Sequence, residues 1–272
     1  MSEEEVILYN GKTKEEILKN MVYSYSSVNG FSTCKTMFKL TYLDKVKRVG
    51  NIFSEFGTAA HNVMEKLFSN ECEVWDLNEL FLDLYKETVV TPPPASLGQK
   101  YEEGMLDGLS KFFSTTNLNV DNYEVLCMEE KLEYAVDDIN IVVKPDLILR
   151  RKSDGKVLLW DYKTSGYKKS SHEGYAYQCS LYAKIYELVK GIHVDELTIL
   201  YFKETVKPRG KDLIYGKFVN MVYDESVLDI FISDVKKIRQ EKAWDATPDQ
   251  FFCCNICSVK TACEAKEHFF GV

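Results

Sequence analysis

Apolar positions recur with a helical period in the first part of the chain and with the tighter rhythm of strands from Glu124 onward. Between Phe53 and Phe68 the spacing of Phe56, Ala60, Met64 and Leu67 predicts a helix, with small residues just before His61. Upstream, the hydroxyls of Tyr25, Ser26 and Ser27 read as caps for a short helix that runs from Val28 to Leu40 and contains Cys34. Residues 76–90 and 97–114 predict two more helices, separated by Thr91-Pro-Pro-Pro-Ala-Ser96, whose prolines exclude a helix through the loop. These two make a helical insertion over about 70–116. Strands are expected over 124–136, Ile139–Leu149 and Lys156–Ser165, the last two joined as a hairpin by the turn Ser153-Asp154-Gly155. A helix at about 173–190, strands at 194–206 and 213–223 and a helix at about 224–242 complete the regular part. The expectation is a single α/β domain over 25–268, a mixed central sheet flanked by helices, with an N-terminal extension over 1–24.

Two of these strands carry charges where a buried strand rarely does. Lys156-Val-Leu-Leu-Trp-Asp161-Tyr-Lys163 ends in an acid and a base two apart, hence on one face. The preceding strand holds Pro145-Asp146, so the hairpin sets Asp146 beside Asp161. Two carboxylates placed so repel unless a cation lies between them, and hard oxygen ligands suit Mg2+ or Mn2+. Glu129 or Glu130 is placed to face the same site, and the alternation does not choose between them. On the following helix Gln178 and Tyr182 stand at i and i+4 and share a face, beside Tyr175 and Tyr186, which also fit a packing stripe.

Composition narrows the setting. A formal net charge of −8 and 45% apolar residues describe an acidic globular protein with a substantial core. Such a charge opposes nucleic-acid coating through bulk electrostatics. Two basic patches nonetheless stand out: Lys35, Lys39, Lys45, Lys47 and Arg48, and Lys203, Lys207, Arg209, Lys211 and Lys217. No apolar run reaches the roughly 20 residues that span a bilayer, and the start Met-Ser-Glu-Glu-Glu lacks a basic leader, so no membrane association and a cytoplasmic location are expected. Of eight cysteines, four fall between Cys253 and Cys263 as C-x2-C-x5-C with an extra Cys in front. In a reducing compartment that grouping points to metal ligation, with a fourth thiolate from a distant cysteine, Cys34 being the candidate. Iron-sulfur and zinc both remain open from thiolate count. Cys72, Cys127 and Cys179 sit in ordinary helix or strand contexts.

Pro145-Asp146, fourteen residues, then Asp161-Tyr162-Lys163 resembles the PD-(D/E)xK nuclease motif. With an N-terminal Cys, a Gly-x3-His helix, a Gln-x3-Tyr helix and the C-terminal cysteines in that order, residues 25–265 resemble the RecB-family nucleases that carry an iron-sulfur cluster. That group includes the AddB nuclease domain, CRISPR adaptation nucleases and stand-alone phage exonucleases. The resemblance implies a restriction-endonuclease-like fold with the two ends of the chain joined by a 4Fe-4S cluster on Cys34, Cys254, Cys257 and Cys263, the last three in a tail over about 248–265. It implies that His61, Asp146, Asp161 and the Tyr162 carbonyl hold the metal, that Lys163 is the catalytic lysine, and that Gln178 and Tyr182 shape the site. The function it implies is a metal-dependent DNA exonuclease, acting on single strands or duplex ends in recombination, repair, or phage or CRISPR DNA processing. Recombination, replication or CRISPR adaptation proteins are the implied partners, and a bacterial cytoplasm, or a host's if phage-encoded, the implied location. A non-cleaving DNA-end binding or partner-docking module and a zinc-stapled nuclease are the alternatives. The chain departs from the family's habit at Cys34-Lys35, where Cys-Pro is common, and at Val143, where Gly is common.

Overall fold

The computed structural model describes residues 8–9, 11–207, 213–247 and 249–264; Arg209 and Lys211 of the second basic patch and Pro248 of the tail lie outside them, as do parts of the N-terminal extension. In chain order the elements are β1 (Leu8–Tyr9), β2 (Lys12–Thr13), α1 (Lys14–Asn20), β3 (Val22–Tyr23), α2 (Tyr25–Thr33) and α3 (Lys35–Phe38). There follow three helices, α4 (Ile52–Phe68), α5 (Leu77–Thr88) and α6 (Gln99–Thr115). Five strands come next: β4 (Tyr123–Met128), β5 (Leu132–Val136), β6 (Ile139–Val143), β7 (Leu147–Arg151) and β8 (Val157–Lys163). The chain then forms α7 (His172–Lys190), β9 (Glu196–Val206), β10 (Ile214–Met221) and α8 (Val227–Gln240). Contacts divide it into two compact units, one from residues 1–50, 133–143 and 228–272 and one from 51–132 and 144–227.

The second unit is built on a five-stranded mixed sheet in the order β10-β9-β8-β7-β4. β8 lies in its middle, antiparallel to β7 and parallel to β9. Every residue of β8 but the last is buried, as a strand covered on both faces must be. On one face Leu158, Trp160 and Tyr162, with Leu147 and Leu149 of β7, pack against Phe56, Ala60, Val63, Met64 and Leu67 of α4 and Leu109, Phe112 and Phe113 of α6. Each large side chain so buried contributes about 1.5–3 kcal/mol. The α4 stripe therefore fixes the rotation of that helix, and with it the position of His61. Opposite α6, β9 and β10 fall out of step: Thr205 pairs with Tyr215 and Tyr201 with Lys217, leaving Gly216 alone across from residues 202–204. Gly216 has φ +89°, and a Cβ there would come within 2.5 Å of Phe112 Cε2, so only glycine fits without rearrangement.

The first unit carries a three-stranded sheet in the order β3-β6-β5. Tyr23, fully buried on β3, donates its hydroxyl to the Leu18 carbonyl at 2.8 Å. Arg239 of α8 pairs with Asp138 at 2.8 Å.

Four expectations need correction. The helix from Val28 to Leu40 breaks at Cys34, which is extended (φ −159°, ψ 108°). The residues before it, Ser32 and Thr33, are weak helix formers, and Cys34 restarts the helix by accepting the Met37 N–H on its Sγ at 3.4 Å. The N-cap residue is Ser24, one position before the expected hydroxyls; of those, Ser27 does take part in the cap, its Oγ accepting the Ser24 N–H at 2.9 Å in a reciprocal box. The strand at 124–136 divides at Glu129, whose φ of +49° no continuing strand allows. The strand from Ile139 to Leu149 divides before Pro145, which has no N–H to give a ladder. In consequence β6 joins β3 in one sheet and β7 joins β8 in the other.

Candidate active site

The site is assembled where β7, β8, α4 and α7 of the second unit converge. The β7–β8 register runs to Leu147↔Trp160; one residue further, Asp146 comes opposite Asp161. Asp146 Oδ2 accepts the Tyr162 backbone N–H at 2.7 Å, which holds the carboxylate against the strand. His61 arrives from α4 with Nε2 3.3 Å from the Tyr162 carbonyl oxygen and Nδ1 3.5 Å from Asp146 Oδ1. Glu129 completes the group, its Oε1 3.6 Å from His61 Nδ1. Among the described residues, ligand atoms of His61, Glu129 and Asp146 lie within 4.8 Å of one another. Two carboxylates, an imidazole and the Tyr162 carbonyl are a donor set that fits Mg2+ or Mn2+.

Asp161 and Lys163 do share a face of β8, as their spacing requires: Lys163 Nζ lies 2.6 Å from Asp161 Oδ2. Gln178 ties this pair to α7. Its Nε2 donates to Asp161 Oδ1 at 3.0 Å and to the Tyr182 hydroxyl at 3.1 Å, while its Oε1 accepts from Lys163 Nζ at 3.3 Å. All the expected site residues of this unit are thus brought together: His61, Asp146, Asp161, Tyr162, Lys163, Gln178 and Tyr182. Asp161 is 1% exposed, so its partners and not water set its orientation.

Crowding of like charge governs the electrostatics. Burial first, and the Asp161 carboxylate next, push Asp146 well above the usual carboxylate range. Burial alone would lower the Lys163 amine, but the charges of Asp161 and Asp146 outweigh it and raise the group, so the lysine is held as an ammonium. His61 is likewise disfavoured by burial yet raised by Glu129, Asp146 and Asp161. Burial would raise Glu129, but His61 and Lys144 lower it. The mutual repulsion of carboxylates crowded in this way is what a divalent cation relieves.

Sequence reasoning leaves Glu129 and Glu130 undecided, and the structure separates them. Glu130 turns away to pair with Lys190 at 2.7 Å. Glu129, thrown out of the strand by its positive φ, pairs with Lys144 Nζ at 2.5 Å on the site side. Lys144 does not stand out in the sequence, nor does Tyr175 as a site residue, although its ring lies 4.8 Å beneath Lys163 Nζ; the one available signal for Tyr175 is its place three residues before Gln178.

The cysteines of the first unit also group. Cys34, Cys253 and Cys257 are buried and Cys254 and Cys263 half-buried. Burial first, then the neighbouring Cys34, Cys257, Cys263 and Cys254, push the Cys253 thiol up to about 11. Cys253 and Cys254 lie within a single π-helical turn, Phe252–Ile256. Of the first basic patch, Lys35 is paired with Glu241 at 2.5 Å and Lys39 with Asp44 at 2.9 Å, so its available charge is smaller than its sequence suggests.

Among curated proteins none matches the chain. Among solved structures it is similar to one described as "Crystal structure of SSO0001", at 17% identity and a TM-score of 0.33, over 88% of this chain and 95% of that one. The model of the PD-(D/E)XK nuclease superfamily matches residues 22–264, which contain the whole cluster of Asp146, Asp161 and Lys163, and on that match the chain belongs to the PD-(D/E)XK nuclease superfamily.

Proposed function

We propose that the protein is a metal-dependent DNA exonuclease of the RecB type, with a 4Fe-4S cluster on Cys34, Cys254, Cys257 and Cys263. The observation that carries the reading is the convergence, at the end of one central strand, of Asp161 and Lys163 with Asp146, His61 and Glu129. His61, Asp146, Asp161 and the Tyr162 carbonyl would hold Mg2+ or Mn2+, joined by Glu129, whose carboxylate groups with His61 and Asp146, while Asp161 stands beside them with its oxygens on Gln178 and Lys163. When bound, the cation lowers the pKa of water and neutralises charge on the scissile phosphate. Lys163, kept protonated, orients the attacking water and stabilises charge that develops on the phosphate oxygens. Gln178 fixes both Lys163 and Asp161, and Tyr182 in turn fixes Gln178. The intact ligand and lysine set supports cleavage over a non-cleaving DNA-binding role.

The test is hydrolysis of end-labelled single strands and duplexes in Mn2+, Mg2+ and EDTA, with wild type, Asp161→Asn and Lys163→Ala. Wild type should release short products only with metal, and both variants should lose activity while keeping their melting temperature. Cutting in EDTA, or full activity in either variant, contradicts the mechanism. A brown colour with iron and sulfide on anaerobic purification supports the cluster, and stoichiometric zinc in colourless protein overturns it.

A further inference from the structure

The catalytic lysine stands on an aromatic surface that the chemistry described above does not use. Lys163 Nζ lies 4.8 Å over the ring of Tyr175, on the first turn of α7. Across the sheet register from Lys163 is Tyr201 of β9, fully buried. Tyr201 meets Tyr175 at 6.3 Å and Tyr167 at 5.5 Å, both edge to face. Tyr167 in turn carries Lys217 Nζ at 4.5 Å over its ring, and its N–H is anchored on Glu204 Oε1 at 2.8 Å. Two half-buried tyrosines are thus braced by one buried one. Among the described residues the Tyr201 hydroxyl has no hydrogen-bond partner, an unusual condition for a buried phenol away from a ligand site.

Cations over partly exposed aromatic rings, beside a loop that bears the exposed Lys168 and Lys169, are the combination that binds unpaired nucleotides, with lysines for the phosphates and rings for the bases. We propose that Tyr167 and Tyr175 form a stacking subsite for an unpaired base next to the scissile phosphate, so that the substrate enters as a single-stranded DNA end. A base inside a duplex is stacked on both faces and offers no ring to these tyrosines. Lys163 covers one face of the Tyr175 ring, so a base stacked on the other face would bring its phosphate toward the catalytic ammonium. This inference rests on the nuclease reading above and names the form of its substrate.

The experiment measures binding of a short fluorescent oligo(dT), of the same strand with single abasic sites, and of a blunt duplex, all in Ca2+ without Mg2+ or Mn2+. Tyr175→Leu or Tyr167→Leu should weaken oligo(dT) binding about 5- to 150-fold, the range of one base–aromatic stack, and leave duplex binding unchanged. Tyr175→Phe, which keeps the ring, should bind as wild type. An abasic site at the stacked position should weaken wild type by the same factor and Tyr175→Leu no further. Equal losses on duplex and oligo(dT), or abasic strands bound by wild type as tightly as oligo(dT), overturn the subsite. Wild-type cleavage of the end-labelled strand in Mn2+ is run alongside. Absent cleavage with an intact binding cycle rejects the nuclease reading and keeps the subsite; cleavage without the cycle rejects the subsite alone.

Discussion

Replacing Gln178 by Met keeps the length of the side chain and removes both of its polar atoms. In the native arrangement the amide serves three groups at once: Asp161 Oδ1 at 3.0 Å, the Tyr182 hydroxyl at 3.1 Å and the Lys163 ammonium at 3.3 Å. Two of these bonds involve charged groups, each ordinarily contributing about 1.5–3 kcal/mol. Asp161 is 1% exposed and cannot recover its lost donor from solvent without local opening, whereas Lys163 keeps Asp161 as a partner. One charged bond's worth of loss, about 1.5–3 kcal/mol, lowers kcat about 10- to 150-fold if the pair must be oriented only in the transition state. KM for DNA should change little. Tyr182→Phe removes one neutral bond, worth about 0.5–1.5 kcal/mol, and should cost about 2- to 10-fold. Gln178→Glu should be the most damaging of the three, because it replaces the donor to the buried Asp161 carboxylate with a second carboxylate. The assay is steady-state hydrolysis of an end-labelled oligonucleotide at saturating Mn2+, with thermal melts to confirm folding. Full kcat in Gln178→Met, or a Tyr182→Phe defect as large as its own, would refute the reasoning.

Metal affinity should rise with pH. Asp146 and His61 are both held above their ordinary values, and since the metal binds only their deprotonated forms, protons compete for the site. Calorimetric titration with Mn2+ should show tighter binding and proton release between about pH 6 and 8; a flat profile refutes the competition. Gly216→Ala combines backbone strain with a Cβ 2.5 Å from Phe112 and should cost about 2–5 kcal/mol, read as a clear drop in Tm; an unchanged Tm would show that the β9–β10 irregularity relaxes freely. On the proposed 4Fe-4S cluster, Cys34→Ser should give colourless, less stable protein, and Cys253→Ser should keep its colour if Cys254 is the ligand. Bleaching in Cys253→Ser with colour retained in Cys254→Ser reverses that choice.

Residue spacing is enough to make part of the site legible. An Asp and a Lys two apart in a strand share a face, and a hairpin turn of known length sets the pairing, so Asp146, Asp161 and Lys163 follow from local geometry. The helical i, i+4 relation puts Gln178 and Tyr182 on one face, but a packing stripe has the same spacing, and their place in the site comes from the family resemblance. Glu129 does not follow, because its placement depends on a left-handed residue that ends β4, and period-two alternation carries no information past such a point. The same is true of the segment around Lys144–Asp146, where one proline redirects the chain between two sheets. Tyr167, Tyr175 and Tyr201 come from a loop, a helix and a strand, and only the tertiary fold brings them together.

The Tyr162 amide gives the central strand a reporter. Where the β7–β8 ladder stops, its next proton is gripped by a side-chain carboxylate, Asp146 Oδ2, and not by a backbone carbonyl. Its exchange with solvent deuterium therefore depends on what else that carboxylate is doing. A cation that draws Asp146 toward itself alters the protection of one deeply buried amide, while neighbouring rungs such as Leu158 and Leu159 keep the slow rate of the sheet. Occupancy of the site becomes visible in the backbone, without substrate and without turnover.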